Sequence, residues 1–245
     1  MGVDLIIIGG GINGVAIARE AALRGLSVTL FEKGRLGDGA SSNTSKLAHG
    51  GLRYLEQFKF GLVRESLRER DLLLKNCPDL VKPMPFIFPV YKGGKRPMWQ
   101  IAIGLFVYDF FSRKGSLPRH KHLTVSQVQS AVPGINSDLL LGGFCYYDAQ
   151  MDDAEIVRRN AAHAKDSGAK IIERARVVGV NSNEGKAVGV LFESEGKVSE
   201  LKSSCILNCS GAWSNGVMAW GNGRQKVSVY PTKGVHLICP SQGLE

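Results

Sequence analysis

Cysteine is scarce in this 245-residue chain and poorly placed for cysteine chemistry. Cys77, Cys145, Cys205, Cys209 and Cys239 are odd in number, and no two sit at the C-x-x-C spacing of a zinc site or redox pair. They are expected to be reduced, mostly buried thiols in a cytoplasmic setting, and no metal is expected. No apolar run approaches the roughly 20 residues that cross a bilayer. Met1 leads straight into a strand-like segment rather than a charged region and signal core, so export is not expected either. There is no tandem repeat and no low-complexity tract, which excludes solenoid and disordered classes. Acidic residues are the minority, 22 against 31 Lys and Arg, and the formal charge of +9 points to anionic partners. The basic residues are spread out, with one modest cluster from Arg113 to His122. No nucleic-acid-binding motif accompanies them, and nucleic acid is not an expected partner.

What the chain does have is enough apolar content, 44%, for a sizeable core. Leu5-Ile6-Ile7-Ile8, a glycine turn, a helix from about Ile12 to Arg24 and Val28-Thr29-Leu30-Phe31 read as one β-α-β unit. Neither strand alternates, as expected of parallel strands buried on both faces. A charged amphipathic helix follows from about Gly61 to Lys75, with Leu62, Leu67 and Leu74 on its apolar side. The proline-rich stretch from Pro83 to Gly142 has a different texture and reads as an inserted, substrate-side region. It contains a short strand at Phe86-Ile87-Phe88 and an apolar helix near Trp99 to Phe111. A helix from Asp152 to Ser167 and strands at Val177–Val180, Ala187–Phe192 and Cys205–Leu207 then resume the sheet.

Gly9-Gly10-Gly11-Ile12-Asn13-Gly14 fits G-x-G-x-x-G and lies between a buried strand and a helix, the context that makes the pattern meaningful. Gly9 permits the turn, Gly11 lets a pyrophosphate approach the backbone and Gly14 lets helix and strand pack closely. The helix N-terminus offers free N–H groups and partial positive charge. Glu32, at the end of the second strand, can accept hydrogen bonds from ribose hydroxyls. A dinucleotide site outweighs a plain glycine-rich turn. The pattern alone does not separate FAD from NAD, but the long excursion before the sheet returns favours FAD, with Asn208-Cys209-Ser210-Gly211 approaching from the other side.

The segment Ser41-Ser42-Asn43-Thr44-Ser45-Lys46-Leu47-Ala48-His49-Gly50-Gly51-Leu52-Arg53-Tyr54-Leu55-Glu56 is the most informative in the chain. Its hydroxyls and lysine can hold a pyrophosphate, Gly50-Gly51 let backbone lie against a flat ring, and Arg53 can fork onto a phosphate or carboxylate. The plainer reading is a polar helix cap. The segment resembles the signature of the FAD-dependent glycerol-3-phosphate dehydrogenases. Ile103-Gly104-Leu105-Phe106-Val107-Tyr108-Asp109, the Tyr147–Ala154 region and Pro231-Thr232-Lys233-Gly234-Val235-His236 agree with the same family. Cys209-Ser210-Gly211-Ala212-Trp213 stands where the family more often has Ala, a small residue, Gly-Pro-Trp, and Ala48 replaces a larger aliphatic residue.

The resemblance implies an α/β fold of D-amino-acid-oxidase-like architecture: a Rossmann-like FAD-binding domain (1–80 and 148–225) interleaved with an α+β substrate or cap region (81–147 and 226–245). It implies FAD contacts from Gly9, Gly11, Ile12, Asn13, Gly14, Glu32, Lys33, Ser41, Ser42, Thr44, Ser45, Lys46, Leu47, His49, Gly50, Val177, Cys209, Ser210, Gly211 and Trp213. Glycerol-3-phosphate would be oxidised to dihydroxyacetone phosphate, with Arg53 and Tyr54 as substrate contacts and His236 as base, although a structural histidine weighs equally at that position. Electrons would pass to a membrane quinone, which implies peripheral attachment to the inner face of the cell membrane and leaves room for a homodimer. Trp99, Ile103, Phe106, Val107 and Phe110, flanked by Lys95, Arg96, Arg113 and Lys114, are read first as a core helix and second as an interfacial one. His120, His122 and His163 receive no role. The alternatives are an oxidase returning electrons to oxygen and a catalytically incomplete FAD-binding fragment, since family members continue beyond Glu245.

Overall fold

A computed structural model describes residues 2–112, 117–220 and 228–237. Met1, Arg113, Lys114 and Cys239, named above, lie outside the described residues, as do residues 226, 227 and 238–245 of the stretch expected to belong to a cap. In chain order the elements are β1 (Val3–Ile8), α1 (Ile12–Leu23), β2 (Val28–Phe31), β3 (Leu47–Ala48), α2 (Phe60–Asn76), β4 (Val81–Tyr91), α3 (Met98–Phe111) and β5 (Lys121–Leu123). They continue with α4 (Val125–Ala131), β6 (Leu140–Met151), α5 (Asp153–Asp166), β7 (Lys170–Ile172), β8 (Arg176–Asn183), β9 (Lys186–Ser194), β10 (Lys197–Asn208) and α6 (Ser214–Met218). The chain divides into two compact units, Met1–Ser45 with Asp153–Val235, and Lys46–Asp152 with His236–Glu245. The second division, after Asp152, lies close to the expected boundary at 147, whereas the first falls after Ser45 and not near residue 80 as the sequence suggested. Val63 and Leu67 of α2 are the reason: they pack with Tyr108 of α3, so α2 belongs to the second unit.

The first unit carries a six-stranded sheet ordered β7-β2-β1-β10-β9-β8. The four strands from β7 to β10 run parallel, and β9 and β8 continue antiparallel. This is the expected α/β class with a Rossmann-like core. On one face Leu5 and Ile7 pack with Val15, Ala18, Ala21 and Ala22 of α1 and with Val157, Ala161 and Ala164 of α5. On the other face Ile6 and Ile8 pack with Phe31, Val177 and Val190. Burial on both faces explains why β1 shows no polar–apolar alternation. The alanines where α1 faces α5 remove side-chain bulk and permit close packing of the two helices.

The second unit is built on the antiparallel pair β4–β6, with β3 on the other side of β6 and β5 also paired to it. Among the described residues β4 is an edge strand; it contains Pro83, Pro85 and Pro89, all of one parity, so the missing N–H groups fall on the side away from β6. Prolines confined to one edge are compatible with an 11-residue strand, whereas the sequence suggested only three residues of it.

Three further expectations are corrected. α2 buries Val63, Leu67, Arg70 and Asp71, while Leu62 is exposed and Leu74 half-buried. α3 buries Leu105 and Tyr108 but leaves Trp99 63%, Ile103 55%, Phe106 65% and Phe110 75% exposed, so it is not an enclosed core helix. Of the four described cysteines only Cys145 is buried; Cys205 is exposed. Among the described residues no helix is long and apolar enough to cross a membrane and no group of metal-ligating side chains is assembled.

Candidate functional site

The first unit assembles its site where β1 runs into α1. Gly9 has φ +112°, and a Cβ there would come within 2.5 Å of the Cys209 carbonyl oxygen. A Cβ on Gly14 would overlap the Gly9 carbonyl, so the helix can begin where it does only with glycine. Gly11 faces the Ser41 hydroxyl, which also accepts the Ile12 N–H at 3.0 Å. Among the described residues the Gly11, Asn13 and Gly14 amides have no acceptor. Such first-turn donors attract an anion, helped by the positive end of the helix dipole.

Glu32 does more than its position in the sequence suggested. One carboxylate oxygen accepts the Gly10 N–H at 2.7 Å and the other the Gly34 N–H at 2.8 Å. The side chain therefore clamps the glycine turn to the end of β2, and each oxygen keeps a lone pair for a hydroxyl. Next to it, Lys33 Nζ lies 3.4 Å from the centre of the Trp213 ring. At the end of β10 the Cys209 N–H donates to the Ile8 carbonyl, and Asn208 Oδ1 accepts from the Ser210 amide and hydroxyl. Burial pushes the Cys209 thiol above its ordinary range, which keeps it neutral. Thr44 donates to Asp153 at 2.7 Å. Ser42 lies where a side chain on Gly37 would project. Val177 spends its side chain on the core, leaving only its main chain for a ligand.

The second unit holds Lys46, Leu47, His49, Gly50, Arg53 and Tyr54. Lys46 adopts φ +57°, Leu47 pairs with Gln150 in the β3–β6 ladder, and His49 is exposed. Gly51, at φ +74°, turns the chain into a 3-10 helix over Leu52–Gln57. On that turn Arg53 donates to the Tyr54 hydroxyl at 3.2 Å and lies 5.0 Å above its ring. The hydrogen bond and charge of Arg53 lower the Tyr54 pKa. Arg53 also helps line an open cavity of about 690 Å³ with Phe58, Phe60, Phe88, Arg96 and Ile103. His236 lies in an exposed stretch without helix or strand and makes no hydrogen bond among the described residues to the residues above.

Sequence reasoning missed a buried ionic cluster beneath this turn. Arg70 and Asp148 are 2% and 3% exposed. Arg70 donates to Asp148 at 2.8 Å, Asp71 at 2.9 Å and Ser112 at 2.8 Å. Burial works against its charge, but Tyr108, Asp148 and Asp71 hold the guanidinium above its ordinary pKa. Tyr108 donates to Asp148 at 2.7 Å. Burial and the Asp148 charge push its phenol far above the ordinary range, so it stays a donor. The same two causes push Tyr146 up to about 12. Removing one partner of such a cluster leaves a bare buried charge and costs about 3–5 kcal/mol. The one signal in the sequence was that Tyr108 and Asp148 fall in stretches singled out above without a role.

Residues 4–245 match the family model described as FAD dependent oxidoreductase. The chain belongs to this family. It is 41% identical to a glycerol-3-phosphate dehydrogenase of Mycobacterium leprae over 97% of this chain and 41% of that protein. It is 40% identical to a D-erythritol 1-phosphate dehydrogenase of Brucella abortus over 97% of this chain and 47% of that protein. The chain thus spans less than half the length of these relatives. The crystal structure of a glycerol-3-phosphate dehydrogenase from Bacillus halodurans complexed with FAD matches with a TM-score of 0.66 at 24% identity, covering 86% of this chain and 35% of that one. At that identity the likeness is one of fold.

FAD is the cofactor of this family, and the residues present suit it. The acceptor-free amides of Gly11, Asn13 and Gly14 can receive a pyrophosphate, and Glu32 retains acceptor capacity for a ribose. Gly14→Ala is expected to force the helix start away from the Gly9 carbonyl and cut flavin content after purification to about a tenth of wild type or less. The ratio of flavin absorbance to protein absorbance measures this.

Proposed function

We propose that this chain takes part in oxidising glycerol-3-phosphate to dihydroxyacetone phosphate, with electrons passing on to a membrane quinone. The observation that carries the reading is Arg53, a guanidinium steadied on Tyr54 at the edge of a cavity, in a chain whose relatives are named for polyol phosphates. A planar fork of donors suits a phosphate dianion.

FAD, when bound, supplies a two-electron acceptor for the hydride equivalent lost from the carbinol carbon. The glycine turn, Glu32, Lys33, the hydroxyls of Ser41 to Ser45, Val177 and the Cys209–Trp213 segment would hold it, with Lys46, Leu47, His49 and Gly50 as further contacts. Arg53 binds the substrate phosphate and Tyr54 orients it through its hydroxyl. His236 accepts the hydroxyl proton as the carbinol becomes a ketone, and releases it to solvent.

Contact with a membrane surface is supported by α3. Trp99, Ile103, Phe106 and Phe110 lie on one helical face and are exposed, and Lys95 precedes the helix beside Arg96, which pairs with Glu56 at 2.6 Å. Such a face can settle among lipid head groups while Lys95 meets anionic lipid. The chain is expected to sediment with phosphatidylserine-containing vesicles, and a Trp99→Ser/Phe106→Ser variant to stay in the supernatant. Equal sedimentation of the two proteins would remove α3 from this role.

D-erythritol 1-phosphate is a second substrate reading, favoured by the Brucella abortus relative. Anaerobic addition of each phosphate to the yellow protein decides between them: glycerol-3-phosphate is expected to bleach the flavin band at lower concentration. An unchanged spectrum with flavin bound would reject turnover by this chain. Reoxidation by a soluble quinone without peroxide supports the dehydrogenase over an oxidase. Arg53→Ala is expected to raise the half-saturating substrate concentration about 10- to 100-fold, the range for a charge-assisted contact, with flavin content unchanged. Loss of flavin instead would reassign Arg53 to the cofactor.

A further inference from the structure

The β3–β6 ladder stops at Ala48, which pairs with Ala149. Continued by two residues, it would set His49 against Asp148 and Gly50 against Tyr147. Main-chain pairing does not continue, and side chains take its place. Asp148 Oδ1 accepts the Gly50 N–H at 3.0 Å, and Arg70 Nη1 donates to the Tyr147 carbonyl at 3.3 Å. The same Oδ1 receives Tyr108 and Arg70, so a single oxygen gathers a donor from the loop and donors from α2 and α3.

The loop is also closely fitted. A Cβ on Gly50 would run into the Leu67 methyl and the Tyr108 hydroxyl. Gly50 and Gly51 are both buried, and the Tyr54 N–H returns to the Gly51 carbonyl at 2.8 Å. The chain is therefore pinned at Gly50 and turned at Gly51 immediately before it presents Arg53 and Tyr54. A group held in one place beforehand binds with less loss of freedom than one that must be ordered by its ligand.

We propose that Asp148, gripped by Arg70 and Tyr108, is a positioning residue for substrate binding: it fixes the His49–Gly51 turn and thereby sets where Arg53 and Tyr54 stand. The proposal rests on the reading of Arg53 as the phosphate contact. It also gives the Ile103–Asp109 and Tyr147–Ala154 stretches a common purpose, since each contributes one member of the cluster that holds the signature loop.

The test compares Tyr108→Phe, Asp148→Asn and Asp148→Ala in the full chain, by hydrogen–deuterium exchange of peptides and by anaerobic flavin reduction. Tyr108→Phe removes only a hydroxyl and leaves Asp148 paired to Arg70, so it is the variant expected to stay folded. Exchange in the peptide over residues 47–55 should quicken about tenfold, as for loss of one hydrogen bond, while peptides over residues 3–8 and 81–91 keep wild-type rates. The half-saturating glycerol-3-phosphate concentration should rise about fivefold or more, with the limiting rate of the flavin-loaded protein within about twofold. Asp148→Asn, which keeps an acceptor for Gly50, should fall between wild type and Asp148→Ala. The proposal is overturned by unchanged exchange over residues 47–55 in folded Asp148→Ala. It is equally overturned by loosening that spreads through residues 81–91, or by faster loop exchange with unaltered half-saturation. A wild-type chain that binds flavin but is not bleached would reject the proposed activity instead, and the exchange comparison alone would then decide whether Asp148 holds the turn.

Discussion

Main chains meet more closely at the carboxyl end of β1 than side chains would permit. The Gly9 carbonyl abuts Gly14, the Cys209 carbonyl abuts Gly9, and Glu32 reaches back to the Gly10 amide. Three strands and the head of α1 are thereby brought to one point. The first turn of that helix is left with donors facing outward and about half a unit of positive charge behind them. Everything proposed for the cofactor depends on this approach, because a single added methyl group at Gly9 or Gly14 would separate the elements that form it.

The two units reach order by different physics. The first is held by apolar contact on both faces of β1, with alanines letting α1 and α5 approach. Its ligand-facing groups are mostly backbone amides. The second encloses Arg70, Asp71 and Asp148, charges that an apolar core would have made needless. Burying such a cluster gains little stability over packed hydrocarbon, but its directional bonds admit few alternative arrangements. That suits a unit whose contribution is a loop standing in one place.

Much of the first unit was legible from the chain alone, and the reason is local. A strand buried on both faces, a glycine turn and a helix ending at Gly25 each leave marks within a few residues, and β1, α1 and β2 fall where those marks place them. The second unit was less legible because its determinants are distant in sequence. Arg70 lies on a helix that reads as charged and amphipathic, and the distant partners it meets in the interior, Ser112, Tyr147 and Asp148, lie 42, 77 and 78 residues away. The long strand β6 was hidden because one of its partners, β4, carries prolines that read as loop. The apolar residues of α3 were visible, but periodicity tells which side chains share a face and not what that face meets. For the site, the glycine fingerprint, Glu32 and the Arg53–Tyr54 pair were all visible. The clamp that Glu32 forms and the oxygen that holds Gly50 were not, since each is a side chain bonding to a main-chain amide and leaves no spacing rule behind.

The proline-bearing strand β4 has one more effect. Its outward side would otherwise offer a row of amide donors to any passing extended segment, the usual route by which sheets recruit strangers and grow into fibres. With Pro83, Pro85 and Pro89 on that side, the row is broken at every second or fourth residue. This border of the sheet is thereby protected against templated aggregation, and any companion that settles there must be recognised through side chains instead of by lengthening the ladder.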